Sequence, residues 1–479
     1  MFDIDNPLVR QRVGEVEAVV VEGGEEACAE DASDCWLNRY LFLTVAPLST
    51  GVRTDGQVNL TDPDSRIMPL SGRRQTRRPP RIRAVRVASP GRLSHDRCRR
   101  SLESRSDPRK IKDRHTQHNE SLHVRPGIAI LEPMLMQYYG WDVGGAHLKF
   151  AALAADGSVN DVRQIACPLW QGPEMLQSAL SSLVAEFGLQ SGVHAISMTG
   201  ELCDAFATRA HGVAAILEML ESRLGGALWV YGATDWHRTT DARVRIDDVA
   251  SMNWHATAAY VAREVEDGFV LDIGSTTTDL IPLRAGQIIA SGHTDATRLA
   301  QGELVYTGIC RTPVMAVCQT LPFRGQWQGS AAEHFANMAD IYRITGELPP
   351  GADMLPTADH RPADVEHSLR RLARMLGADA SPADSYALTE CARFIRLRQL
   401  VRIAEALALV ATRLSPPATR EVLIGAGVGQ FLARRIAAMR ELEYRDFAEL
   451  ACIAPKFAAS ATVCAPAIAL ARLAAATRL

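Results

Sequence analysis

Two short stretches of the chain follow one plan. "YYGWDVGGAHLKFAALAADG" begins at Tyr138, and "FVLDIGSTTTDLIPLRAG" begins at Phe269, with Asp142 and Gly144 of the first matched by Asp272 and Gly274 of the second. In each, a short apolar run ends in Asp-x-Gly, a few small residues follow, and a second apolar run starts, which is the pattern of a tight β-hairpin. Gly144 and Gly274 stand where the backbone must turn sharply or approach a ligand closely. A supersecondary unit repeated about 130 residues apart predicts a chain built from two related lobes.

The copies differ in their chemistry. Ser275, Thr276, Thr277 and Thr278 in the second hairpin offer N–H groups and hydroxyls, a suitable cradle for phosphate oxygens. Asp272 at the strand end would repel a phosphate unless Mg²⁺ or water lay between them, so the expected site is a metal-phosphate site with Asp142 and Asp272 on the metal. One Asp at a strand end is commonly a turn or cap residue, whereas two at equivalent positions argue for function. The first copy has Gly145, Ala146 and His147 in place of the hydroxyls, and Lys149 where the second has Asp279. Lys149 can snorkel from a strand face or meet a phosphate as a point charge. A lone His on a hairpin is more often a satisfied residue than a catalyst, and His147 is left out of the catalytic set.

These hairpins, followed late in the chain by "VLIGAGVGQFLARRIA", resemble the actin, sugar kinase and Hsp70-like superfamily. More narrowly, "GWDVGGAHLK", "SMTGELCDAF", "LDIGSTTTDLIPL" and "YTGICRTPV", in that order, resemble the hydantoinase/oxoprolinase-related family linked to tetrahydromethanopterin one-carbon metabolism. The resemblance runs from about Tyr138 to the C-terminus. It implies an α/β protein of two ribonuclease-H-like lobes, an actin-like fold, closing over a cleft. The archaeal relatives join an aminomethylfuran-methyl diphosphate to a tyramine-derived phenol with release of diphosphate, and the same reaction is expected here. The alternatives are an ATP-dependent kinase or hydantoinase/oxoprolinase-like hydrolase, or a non-enzymatic nucleotide-binding protein, because one fold serves many functions.

The order of elements agrees with such lobes. Three strands at Tyr138–Val143, 148–153 and 162–167 lead into a helix over 173–187, then a strand "HAISMT", a helix over 204–221 and a strand "LWVYG". A helix "NWHATAAYVAREVEDG" then ends at Gly268, before the second hairpin. Helices in 365–377 and 387–414 read as an insertion in the second lobe, before strands "EVLIGAG" and "ELACIAP". The expected boundaries are a leader over 1–133, a first lobe over 134–266 and a second lobe over 267–479.

Ligands in open α/β sheets gather at the carboxyl ends of strands, so Thr199, Glu201 and Asp204 of "SMTGELCDAF" should face the cleft. Glu201 is the foremost candidate base for a phenol, whose pKa near 10 makes one useful. Asp204 either joins it or only caps the following helix. In "TRLAQGELVYTGICRTPV", Glu303, Tyr306, Thr307, Gly308 and Arg311 are candidates for a second binding wall, with Arg311 suited to bidentate contact with a carboxylate or diphosphate. Gly425 and Gly427 resemble the superfamily's adenosine-side loop, and they precede a helix N-terminus that would suit any phosphate.

Composition narrows the remaining classes. The net charge of −3 over 479 residues argues against a nucleic-acid partner. Ten scattered cysteines without a Cys-x-x-Cys pair fit a reduced cytoplasmic setting. No apolar run is long enough to span a bilayer, so no membrane is expected; the small-molecule furan diphosphate and phenolic amine substrates are what the resemblance implies. Residues 71–115 carry sixteen Lys/Arg against four acids, a profile that cannot bury a core, so the leader is expected to be disordered. Met134 and Met136 stand where the resemblance would have a natural chain begin, and the leader reads as a mis-called start.

Overall fold

The computed structural model describes residues 137–414 and 420–479; the expected disordered leader lies outside the described residues. The first sheet contains β1 (Tyr138–Val143), β2 (His147–Leu153), β3 (Val159–Ala166), β4 (Val193–Met198), β5 (Ala227–Tyr231) and β6 (Trp236–Arg238), in the order β3-β2-β1-β4-β5-β6. Strand β2 is antiparallel to its neighbours β1 and β3, and β4 and β5 add in parallel to β1 through crossovers. The second sheet contains β7 (Gly268–Ile273), β8 (Thr278–Arg284), β9 (Gln287–Ile288) and β10 (Leu304–Val305), joined after the ribbon of β11 (Thr320–Phe323) and β12 (Gln326–Gly329) by β13 (Val422–Ala426) and β14 (Glu443–Asp446). Its order, β10-β8-β7-β13-β14, with β7-β13-β14 parallel, repeats that of the first. These are two ribonuclease-H-like lobes of an actin-like fold.

Helices cover the sheets: α1 (Glu174–Phe187), α2 (Arg209–Arg223), α3 (Asn253–Val261), α4 (Asp295–Gln301), α5 (Met338–Ile344), α6 (Val365–Met375), α7 (Ser385–Ala411), α8 (Gln430–Met439) and α9 (Ala465–Thr477). Strand periodicity assigns their partners. Tyr139, Trp141 and Val143 pack with α1 and α2, and Phe269, Leu271 and Ile273 pack with the helices of the second lobe. The alternate side chains of β7 face inward, and Val270 shares a core with Ala151 of β2, Trp254 of α3 and Ile468 of α9. Asp142 and Asp272 fall on these inner faces by the same alternation, which is why they converge.

Four expectations need correction. The helix expected to run to Gly268 ends at Val261, and a turn over 262–264 leads into β7. "ELACIAP" is not a strand: β14 is the preceding polar edge segment "EYRD", and Phe447–Leu450 is a helical turn whose apolar side chains pack into the core. The helix expected from Asp204 begins at Arg209, because Thr208 is its cap and accepts from the His211 N–H at 3.1 Å. The segment assigned wholly to the second lobe also supplies the first. Helix α9 lies on β1, and a Cβ on Gly140 would penetrate the carbonyl of Ala467. The Ala-rich face of α9 and the missing side chain at Gly140 permit that approach. Among the described residues, no single helix is long and apolar enough to cross a membrane.

Candidate active site

The two hairpin turns are built alike. Gly144 N–H donates to the His147 carbonyl at 3.0 Å, and Gly274 N–H to the Thr277 carbonyl at 2.8 Å. Each turn is braced from the crossover beside it: Thr199 N–H donates to Val143 O at 3.0 Å, and Gly429 N–H to Ile273 O at 2.8 Å. A third segment supports each, with Leu169 N–H on Gly145 O and the N–H groups of Cys310 and Arg311 on Ser275 O. Gly308 lies so close that a Cβ would strike the backbone of Ser275 and Thr276.

Between the turns lies a cavity of about 500 Å³. Asp142, Gly144, Gly145 and Lys149 line it from the first hairpin; Asp272, Gly274, Ser275, Thr276 and Thr277 line it from the second. Thr199 and Asp204 line it from the first crossover, and Tyr306 and Arg311 from the second lobe. The structure therefore brings most of the predicted residues to one place.

Charge is concentrated at the floor. Lys149 Nζ lies 3.4 Å from Asp142 Oδ2. Burial works against the lysine's charge, but Asp142 and Asp272 outweigh it and raise its pKa. Asp272 is pushed up to about 7 by burial, opposed by Lys149 and reinforced by Asp279 and Asp142. Arg298, almost fully buried, donates to Asp279 at 2.7 Å and to the Glu303 carbonyl at 2.9 Å, and its guanidinium sits 4.0 Å over the Trp254 ring. At the rim, Arg311 crosses the cleft: its Nη1 donates to Thr276 Oγ1 at 3.2 Å, while its guanidinium stacks 4.3 Å from the centre of the Trp170 ring on the opposite lobe. His147, buried between the hairpins and 3.4 Å from Ser275 Oγ, is lowered to about 4 by burial, Lys149 and Arg311, which leaves it neutral.

Seven predicted residues stand outside the lining: Thr278, Thr307, Gly425, Gly427, Glu201, Glu303 and Gly308, the last of which braces the second turn. Thr278 turns its hydroxyl inward to the Thr307 carbonyl at 2.7 Å, and Thr307 accepts from Gln399 at 2.7 Å, so both brace the strands. Gly425 packs against Tyr444 and Gly427 against the Asp272 carboxylate and Ile273. Gly427 thus shapes the surroundings of Asp272, and Val428, Gln430 and Phe431 just after it border a separate cavity of about 1000 Å³. Glu201 is 1% exposed, with Oε1 accepting from Ser251 Oγ at 3.0 Å and forming an ion pair with Arg209 Nε at 3.7 Å, and with Oε2 lacking a hydrogen-bond partner. Burial raises it to about 7 against those two partners. Glu303 also belongs to the framework, accepting from the N–H groups of Ser291 and Gly292 and from Arg413.

Sequence reasoning missed Ser251, Asp295, Arg298, Trp254 and Trp170, all of which line the cavity. The tryptophan had a signal: "CPLW" after β3 occupies the supporting position that "GICR" takes in the second lobe. Ser251 had none, because its partners come from segments about fifty residues away on either side.

Among the described residues, no group of three or more His, Cys, Asp or Glu is placed to cage a metal. The two aspartates fit a narrower role. Asp142 Oδ1 is buried without a hydrogen-bond partner, and Asp272 is buried close to it. Such a donor set suits a hard cation that keeps most of its waters and completes its shell on substrate phosphate, as Mg²⁺ does.

Known proteins are similar to this chain. A synthase from Methanocaldococcus jannaschii, (4-{4-[2-(gamma-L-glutamylamino)ethyl]phenoxymethyl}furan-2-yl)methanamine synthase, is 32% identical over 273 residues, 56% of this chain and 81% of the relative. An Escherichia coli N-acetylmannosamine kinase is 28% identical over 280 residues, 57% of this chain and 87% of the kinase. A ROK family glucokinase from Streptomyces griseus, solved with glucose and AMPPNP, aligns at 14% identity with a TM-score of 0.35, covering 70% of this chain and 98% of its own. The hydantoinase/oxoprolinase family profile matches residues 193–477, from β4 through the second hairpin to the end of α9. With more than half of the sequence inside that match, the chain belongs to the hydantoinase/oxoprolinase family.

Proposed function

We propose that this protein is a transferase that joins an aminomethylfuran-methyl diphosphate to a tyramine-derived phenol, releasing diphosphate and forming the phenoxymethylfuran ether of a methanofuran- or methylofuran-type cofactor of tetrahydromethanopterin-linked one-carbon metabolism. The observation that carries this reading is the 32% identity to the named synthase across 81% of its length. The cavity supports it chemically. A furan-methyl carbon ionises readily as diphosphate departs, so the protein's task is to hold departing negative charge and position the phenol. Lys149, Arg311 and the Ser275–Thr277 turn supply cationic and hydrogen-bonding groups around one polar volume, with Gly144 and Gly145 opposite leaving room for the phosphates. Asp142 and Asp272 would hold Mg²⁺, which supplies charge neutralisation on the diphosphate. Carboxylates for the phenolic proton stand on the other side: Asp204 at the surface of the cavity and Glu201 one layer behind it.

Identity to the E. coli kinase favours a second reading, ATP-dependent phosphoryl transfer. The test separates them. With Mg²⁺, a furan-methyl diphosphate and a γ-glutamyl tyramine phenol, the purified protein is expected to release diphosphate and form the ether in equal amounts without ATP. The furan alcohol is expected to be inert, because diphosphate binding energy is needed in the transition state. ATP-dependent consumption of the alcohol with ADP formation, or no coupling with Mg²⁺ present, would overturn the assignment.

A further inference from the structure

Ser251 is a buried residue in an unusual place. Its φ is 55°, in the left-handed region that non-glycine residues avoid. A parallel bridge between Met198 and Ala250 pins the preceding residue to the carboxyl end of β4, three positions before Glu201. The strained serine is thereby held with its hydroxyl between two carboxylates: Oγ lies 3.0 Å from Glu201 Oε1 and 3.2 Å from Asp295 Oδ2. Asp295 is presented by the first turn of α4, whose cap Thr294 forms a reciprocal capping box with Thr297. Strain of this kind persists only where surrounding contacts over-determine it.

One hydroxyl hydrogen cannot serve two carboxylates at once. When Glu201 is ionised, Ser251 donates to it, and Asp295 is left to Arg209 at 3.0 Å. When Glu201 holds a proton, it donates to Ser251 and the serine turns to Asp295. The hydroxyl is thus a two-position rotor whose setting follows the protonation of Glu201. Ser251 and Asp295 line the cavity, whereas Glu201 does not.

We propose that Ser251 is a proton relay between the cavity and Glu201. The proposal rests on the transferase reading for the identity of the acid, a bound phenol. In the forward step the phenol O–H bond breaks and an Oγ–H bond forms, while the serine's original hydrogen passes to Glu201 Oε1. The phenolate oxygen bonds to the furan-methyl carbon as its C–O bond to diphosphate breaks, the electron pair leaving on diphosphate. The proton then returns to the cavity from Glu201 through Ser251 to Asp295. Glu201 is the better acceptor because Arg209 lies nearer to Asp295, at 3.0 Å, than to Glu201 Oε1, at 3.7 Å, and Glu201 Oε2 has no hydrogen-bond partner. The titratable and charged groups facing Glu201 are Arg209 from α2, Asp295 from α4 and Cys203 from its own segment.

The test uses Ser251→Gly, which removes the hydroxyl and relieves the backbone strain, beside Ser251→Ala, which removes only the hydroxyl. With the tyramine-type phenol both variants are expected to lose about 100-fold in kcat. With a fluorinated analogue already ionised at the assay pH, both are expected to return to within a few-fold of the wild type, since no proton remains to be moved. A loss that persists with the ionised phenol, or no loss with either, would overturn the relay. If the wild type couples nothing, the transferase reading fails and infrared spectroscopy decides the relay separately. The carboxylic-acid band of Glu201, identified by its disappearance in Glu201→Gln, is expected to shift in frequency and titration midpoint in Ser251→Ala, and an unchanged band would refute the link.

Discussion

Lys149 and Asp279 hold the same register position in the two sheets. Lys149 stands opposite Asp142 across β1 and β2, and Asp279 stands opposite Asp272 across β7 and β8. The duplicated hairpin has thus kept its acid at one strand and changed the charge on its partner. The lysine pairs with Asp142 within the field of Asp272, and the second-lobe aspartate takes a different counter-ion, the buried Arg298.

Lys149→Met tests the first half of that arrangement. It leaves buried carboxylates without their cation, and breaking a buried pair from one side costs about 3 kcal/mol. Chemical denaturation is expected to show a loss of that size, with weakened binding of the diphosphate substrate. Adding Asp142→Asn should recover part of the stability but none of the binding.

Asp272→Asn keeps the shape of the side chain and removes the charge. Turnover is expected to fall by at least about 100-fold, while the melting temperature stays at or above that of the wild type because an unfavourable buried charge is gone. Near-normal turnover would reduce Asp272 to a turn residue.

Glu201 gives a pH signature in stability. Its pKa rises on folding to about 7, so the folded state binds the proton more tightly than the unfolded chain. The resulting stability is complete below the ordinary carboxylate range and is lost as pH rises through about 7. Thermal melts of Glu201→Gln across roughly pH 5 to 9 are expected to show a shallower decline than the wild type; parallel curves would mean that Glu201 titrates normally.

Much of this was legible in the residues themselves. The hairpins announced themselves because Asp-x-Gly between apolar runs is a local pattern, and because it occurs twice. Thr199 and Asp204 followed from the rule that loops at strand ends line the cleft, and Arg311 from its place in "YTGICRTPV", one of the segments that carry the family resemblance. Glu201 was found as an acid near the site, but its separation from the cavity was not visible, since it depends on Ser251 and Asp295 arriving from distant segments. The edge strand "EYRD" escaped notice because an exposed edge tolerates polar residues, whereas the apolar "LACIA" beside it owes its character to packing against the core.

Gly140→Ala probes the seam between α9 and β1. The added methyl group has no space beside Ala467, and overpacking of this kind costs about 3 kcal/mol. The expected result is a lower melting temperature with a parallel loss of activity, and a wild-type melt would show that α9 moves aside freely.

The return of α9 to the first sheet also sets an order of assembly. Ribosomal synthesis delivers β1 to β6 long before residues 465–477, and chains generally fold from the N-terminal end as they emerge. The inner face of the first sheet therefore waits, with the groove at Gly140 open, until residues 465–477 have been made. Because Ile468 also packs with Val270 of the second sheet, neither lobe seals its inner face before α9 arrives, and a single late segment fastens both sheets.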